Sequence, residues 1–192
     1  MDALERETRE AMSRHDWGTV ARFAAELDRL EHDRPKLGGL LGAALWYAEQ
    51  GLHVFPLTPQ AKVPLPGSHG CKAATTDVHH IGEWWKAHPL ANIGIATGHL
   101  VDVIDFDGAL GHTSWTAADL TAGQPLLATV STPRPGGLHA YIPATGEGNA
   151  AGRIPGVDFR GIGGYVVAPP SRVPAGTYRF LRPFRPNMEP YA

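Results

Sequence analysis

The run VDVIDFDG, residues 101–108, sets Asp105 and Asp107 two residues apart at the end of a strand-like stretch. Side chains on a strand alternate faces, so these two carboxylates point the same way and Asp102 points the other. Two ionised carboxylates a few ångströms apart repel, and one is held protonated unless something offsets the charge. A divalent cation does so, and hard oxygen donors suit Mg²⁺ or Mn²⁺. Gly108 lets the chain turn away at once and leaves both acids at the strand end. The plainer alternative is an Asp-Gly turn with one exposed and one capping aspartate.

Two further stretches carry the same kind of alternation. In GGLHAYI, Leu138, Ala140 and Ile142 share one face and His139 and Tyr141 the other. In GVDFRG, Val157 and Phe159 share one face, and Asp158 and Arg160 the other. A lone histidine is commonly structural, and an Asp beside an Arg is commonly an ion pair. Taken together, three strands offering Asp/Asp, His and Asp/Arg describe a chemical face. Three carboxylates could hold two cations, and His139 and Arg160 could receive phosphate oxygens.

Positioning these groups requires short strands in one sheet. The strand candidates are HVFPL, NIGIAT, LVDVIDF, LLATVST, LHAYIP, GVDFRG, GYVVAPP and TYRFL. NIGIAT and LVDVIDF read as adjacent strands separated by Gly98. Residues 38–50 read as a buried helix closed by Gly51, and Asp77 as the N-cap of a short helix carrying Trp84 and Trp85, which read as core. A further helix is expected around 112–122. Leu4, Ala11, Val20, Phe23, Ala24, Leu27 and Leu30 recur at helical spacing, so residues 1–36 form an amphipathic helical extension ahead of a domain at 37–192. The long loop TPQAKVPLPGSHGCKAAT is functional or mobile. The expected class is α/β (α+β), with a mixed or antiparallel sheet lining one cleft.

Composition bounds the rest. The 192 residues suffice for one domain with a real core, and the net charge of −2 requires any nucleic-acid footprint to be local. The single Cys71 excludes a disulfide framework and a multi-cysteine zinc site. No apolar run is long enough to span a membrane and the N-terminus is charged, so a soluble, cytoplasmic protein is expected.

The order VIDFDG, STPRPGGLHAYI, GVDFRGIGGYVVAPPS resembles the three motifs of the archaeo-eukaryotic primase superfamily. It looks most like the bifunctional DNA primase/polymerase (prim-pol) domain of plasmids, phages and integrated elements. Upstream, GLHVFPLTPQAKVPL, ATTD, WW and NIGIATG are similar to that family's first half, so the resemblance covers about residues 38–182. It implies that Asp105, Asp107 and Asp158 hold two cations. His139 would contact the nucleotide's phosphates, Arg160 would follow as the basic position, and Lys62 would be a recurring lysine at a phosphate. The Arg-Pro step in TPRPGGLH departs from the family pattern. There Arg134 is an extra phosphate donor, or the loop bulges.

What the resemblance implies is a primase and/or DNA polymerase. It would act on single-stranded DNA template and primer with dNTP or NTP. Since such domains often precede a helicase, a separate helicase or replication initiator is expected, or the chain is a fragment. Arg153, Arg160, Arg172, Arg179 and Arg182 are the candidate basic strip for DNA. Glycines 136, 137, 163 and 164 would admit a phosphate or template, or make tight turns. Two other readings stand beside this one. A D-x-D pair also holds a Mn²⁺–nucleotide-sugar complex in glycosyltransferases, which leaves His139 and Asp158 without a task. A non-catalytic replication-initiation module is the third, and the presence of all three carboxylates and the histidine argues against it.

Overall fold

The computed structural model describes residues 39–108, 110–111 and 125–185. The helices expected over 1–36 and around 112–122 lie outside the described residues. Helix α1 (Gly39–Glu49) is an Ala/Leu run that ends where Gly51 adopts φ 82°. There Leu52 N–H donates to Tyr47 O and Gly51 N–H to Ala48 O, both at 2.9 Å, the paired bonds of a glycine-terminated helix. Helix α2 (Val78–Ala87) begins on Asp77, whose carboxylate accepts from the His79 and His80 N–H groups at 2.9 and 3.0 Å. Trp85 of α2 is in the core with its indole N–H on Ala91 O, and Trp84 packs partly buried beside it, so both are packing residues.

Eleven strands are described: β1 (Val54–Leu57), β2 (Asn92–Ala96), β3 (Val101–Phe106), β4 (Ala128–Ser131), β5 (Leu138–Pro143), β6 (Ala150–Ile154), β7 (Val157–Arg160), β8 (Tyr165–Ala168), β9 (Arg172–Val173), β10 (Gly176–Thr177) and β11 (Arg179–Arg182). One sheet has the order β1-β2-β8, and a larger one β11-β4-β5-β3-β7-β6, while β9 and β10 form a small hairpin. Every strand pair is antiparallel. The mixed sheet allowed by the sequence is therefore replaced by an antiparallel one. Among the described residues the one parallel pairing is an isolated bridge, Gly148 to Ile162. The short connections β4–β5 and β6–β7 leave no length for a parallel crossover.

NIGIAT and VDVIDF are neighbours in sequence but enter different sheets, because the Gly98 turn at φ 85° hands the chain from one to the other. Strand β3 becomes the centre of the larger sheet. Its face bearing Val101 and Val103 packs with α1 and the three-stranded sheet in the main core. Ile104 and Phe106 enter a second cluster on the opposite face with Leu138, Ala140, Ile142 and Val157. That division matches the alternation read from the sequence. Asp102 lies on the second face, fully buried, where its Oδ2 accepts from the N–H and hydroxyl of Thr145 at 2.7 Å. The described residues include no helix long and apolar enough to cross a membrane.

Candidate functional site

The register of the larger sheet assembles the site. Asp105 on β3 stands directly opposite His139 on β5 and Asp158 on β7. Directly paired residues of antiparallel strands project to the same face, so these three form one cross-strand row. Val103, Tyr141 and Arg160 form the row behind it. Asp107 follows at the end of β3, where its N–H donates to Gly156 O at 2.8 Å.

A cleft of about 260 Å³ opens over this end of the sheet. Asp105, Asp107, His139 and Arg160 of the larger sheet line it together with Tyr165, Val166 and Val167 of β8 from the other sheet. Lys62 enters from the loop after β1. That loop is fixed by Thr58 N–H to Val63 O at 2.9 Å, the Thr58 hydroxyl to Pro64 O at 3.0 Å and the Asn92 amide to Ala61 O at 2.9 Å. Its Nζ lies 5.9 Å from the centre of the Tyr178 ring, within cation–π range. The loop is thus anchored, and it delivers a cation to the cleft.

Two guanidinium groups hold the carboxylates. Arg160 Nη2 is 2.8 Å from Asp158 Oδ2 and 3.6 Å from Asp105 Oδ2. The other Asp158 oxygen accepts from Gly152 N–H at 3.0 Å. Gly152 reaches inward because β6 bulges there at φ 70°. Asp158 is consequently on the predicted face but turned toward β6 and Arg160, and it does not line the cleft. Arg134 Nη1 is 2.8 Å from Asp107 Oδ1. Its place is set by a tight β4–β5 loop, in which Thr132 N–H donates to Gly137 O at 3.0 Å and Gly137 N–H to Arg134 O at 2.8 Å.

Burial pushes the Asp105 carboxyl up to about 6; Arg160 and Lys62 pull it down, while Asp107 and Asp158 push it further up. Burial, then the positive charges of Lys62 and Arg160, hold His139 down at about 3. His139 Nε2 lies 3.5 Å from Asp105 Oδ1, a contact between a neutral imidazole and a carboxylate rather than an ion pair. The histidine therefore offers a hydrogen bond and no charge at neutral pH. Tyr178 packs its ring 5.7 Å from that of His139, and burial together with Asp105 raises its hydroxyl to about 12.

No three acidic, histidine or cysteine side chains among the described residues are gathered into a ready-made metal cage. Asp105 and Asp107 nevertheless bring hard oxygens into one cleft, and the charges of Asp107 and Asp158 disfavour ionisation of the already buried Asp105. Added positive charge relieves that conflict, so the residues fit such an ion.

The glycines divide in role. Gly163 and Gly164 line the cleft, whereas a Cβ at Gly137 would strike the Thr132 hydroxyl, so Gly137 serves the tightness of its own loop. The arginines do not form one strip: Arg153 lies on β6 and Arg179 and Arg182 on β11, the two outer strands of the sheet, while Arg160 faces the cleft. Thr132, Asn149, Tyr165 and Tyr178 also line the cleft and had not been singled out. Tyr165 in GYVVAPP and Tyr178 in TYRFL are aromatics of strand-like runs, a signal shared with any core strand.

No curated protein matches the sequence. A family model for the bifunctional DNA primase/polymerase N-terminal region matches residues 44–190. The matched span contains all the described strands, from β1 to β11, and with them every residue that lines the cleft. Members of that family generally use divalent metal ions. With three quarters of its length covered by the match, the chain belongs to the bifunctional DNA primase/polymerase family.

Proposed function

We infer that this chain is a DNA-dependent nucleotidyltransferase that makes or extends primers on single-stranded DNA, with dNTP or NTP as the incoming substrate. The observation that carries this is Asp105 paired with His139 and set beside Asp107 on a cleft that also holds Lys62, Arg134 and Arg160, with Asp158 in register on the next strand and tied to Arg160. A nucleotide-sugar transferase needs the Asp105–Asp107 pair but gives His139 and Asp158 no task.

Asp105 and Asp107 would hold the ions, and Asp158 would join them only by releasing Arg160 and turning toward the cleft. Two divalent cations, Mg²⁺ or Mn²⁺, when bound lower the pKa of a primer 3′-hydroxyl and offset charge at the α-phosphate. Lys62 and Arg160 attract the triphosphate and stabilise charge that moves toward pyrophosphate. His139, buried and neutral, donates a hydrogen bond to a phosphate oxygen and keeps its donor fixed by packing on Tyr178. Tyr165, Val166 and Val167 of β8, which share the cleft, would contact the nucleotide. A separate helicase or replication initiator would open the template.

The test is incorporation of labelled dNTP on primed and unprimed single-stranded DNA with Mg²⁺ or Mn²⁺. Asp105→Ala should remove activity at every nucleotide concentration, because its effect is on the transition state. His139→Ala should instead weaken nucleotide binding about tenfold to a hundredfold with Mn²⁺ binding retained, the worth of a hydrogen bond to a charged group. Wild-type activity in both variants would end this reading.

A further inference from the structure

Arg134 sits on the tip of the β4–β5 loop and has its guanidinium against one of the two acids at the end of β3. The Asp107 and Arg134 side chains are 47 % and 55 % exposed, and their oxygen–nitrogen distance is 2.8 Å. An ion pair this exposed is weak and readily exchanged. Arg160 differs: its side chain is one-third exposed and it bridges two acids of the sheet. The Arg134 backbone is also fixed close to the strand end, since the carbonyl of Pro135 approaches Gly108 so nearly that a Cβ there would lie 3.2 Å from it. The backbone is therefore held while the charged end of Arg134 is free to choose among anionic partners within its reach. The cleft it lines includes Lys62, His139 and Thr132, each able to donate to a phosphate, so an anion drawn there by Arg134 finds further donors.

Resting on the cation-dependent reading above, we propose that Arg134 is an exchangeable counter-charge that couples cation binding to nucleotide binding. A cation reaching Asp107 competes with Arg134 for the same carboxylate and repels its positive charge. The side chain then has a better partner in the triphosphate of an incoming nucleotide. The two ligands consequently favour one another. Linkage makes the effect reciprocal: whatever factor the cation adds to nucleotide affinity, the nucleotide adds to cation affinity. The coupling belongs to this chain's Arg-Pro loop rather than to the acid and histidine positions it serves.

Two measurements on the full chain test it. The first is Mn²⁺ binding without nucleotide, read from the paramagnetic resonance of free Mn²⁺. Arg134→Ala should bind Mn²⁺ about two- to fivefold more tightly than wild type, because an exposed competing charge is gone. Arg134→Lys, which keeps the charge, should stay near wild type. The second is binding of a non-hydrolysable α,β-imido dNTP, with saturating Mn²⁺ and again in chelator. Arg134→Ala should lose about tenfold in affinity with Mn²⁺ and much less in chelator, so the coupling factor shrinks. Unchanged or weaker Mn²⁺ binding by Arg134→Ala would overturn the exchange and make Arg134 a support for Asp107. A nucleotide loss equal in both conditions would also overturn it. Asp107→Ala separates this from the underlying reading. If that variant binds Mn²⁺ like wild type, the cation site itself is wrong. If it binds weakly while Arg134→Ala shows no tightening, the site stands and only the exchange fails.

Discussion

Asp105 is asked to stay ionised where its surroundings resist it. Its side chain is one-fifth exposed and its carboxyl titrates near 6 instead of 3.8. A carboxyl raised in the folded state binds its proton more tightly there than in the unfolded chain. Above pH 6 its ionisation therefore destabilises the fold, and this burden fades as pH falls from 6 to 3.8. Asp105→Asn removes it. In chelator at pH 7.5, the variant should be more stable than wild type by roughly 2–3 kcal/mol, on the order of 5–10 °C in melting temperature. Below pH 4 the difference should vanish. Thermal melts at the two pH values decide it, and an unstabilised variant at pH 7.5 would show that the fold does not raise this carboxyl.

The turn joining β7 to β8 shapes one end of the cleft, and its glycines answer to different constraints. Gly163 has φ 81° with open space where a Cβ would go, while a Cβ at Gly161 would meet the carbonyl of Glu147. Thr97 supports the turn by donating from its hydroxyl to Gly161 O at 2.7 Å, and Asn149 by accepting from Gly161 N–H at 3.0 Å. Gly163→Ala should cost about 1–2 kcal/mol from backbone strain alone. Gly161→Ala should cost more, since a main-chain neighbour has to move. Urea denaturation of both variants ranks them, and the reverse order would contradict the packing described. What the sequence disclosed about elements followed the same physics. β3, β5 and β7 are legible, with the faces of Asp105, His139, Asp158 and Arg160, because apolar and polar residues alternate at the end of each strand that meets the site, although on β3 the same face carries Val101 and Val103 into the core. β6 is not: Ala, Gly and Arg in AAGRI lack strand propensity, and the strand forms as a bulged, largely exposed edge held partly by Asp158. The contact of Arg134 with Asp107 was equally hidden, since it depends on how one hairpin loop folds over the end of another strand.

Among the described residues, positive charge is dispersed. Arg153 and the Arg179–Arg182 pair sit on opposite outer strands, and the chain carries a net charge of −2. Few phosphates can be engaged at once. Binding to single-stranded DNA should be weak, with a log–log salt slope no steeper than about −2, given about −0.7 for each phosphate neutralised. A slope near −4 in a fluorescence anisotropy titration would reveal a continuous basic track. The strand order has a consequence of another kind. β3 lies between β5 and β7, and neither partner is joined to it by a hairpin. Each pairing closes a long stretch of chain, a large entropic penalty that must be met before any contact rewards it. Local hairpins such as β4–β5 can form early, but none of them contains both Asp105 and His139. The chemical row thus comes into being only when these two long-range pairings close, so during folding His139 and Asp158 stay apart from Asp105 until β5 and β7 have both paired with β3.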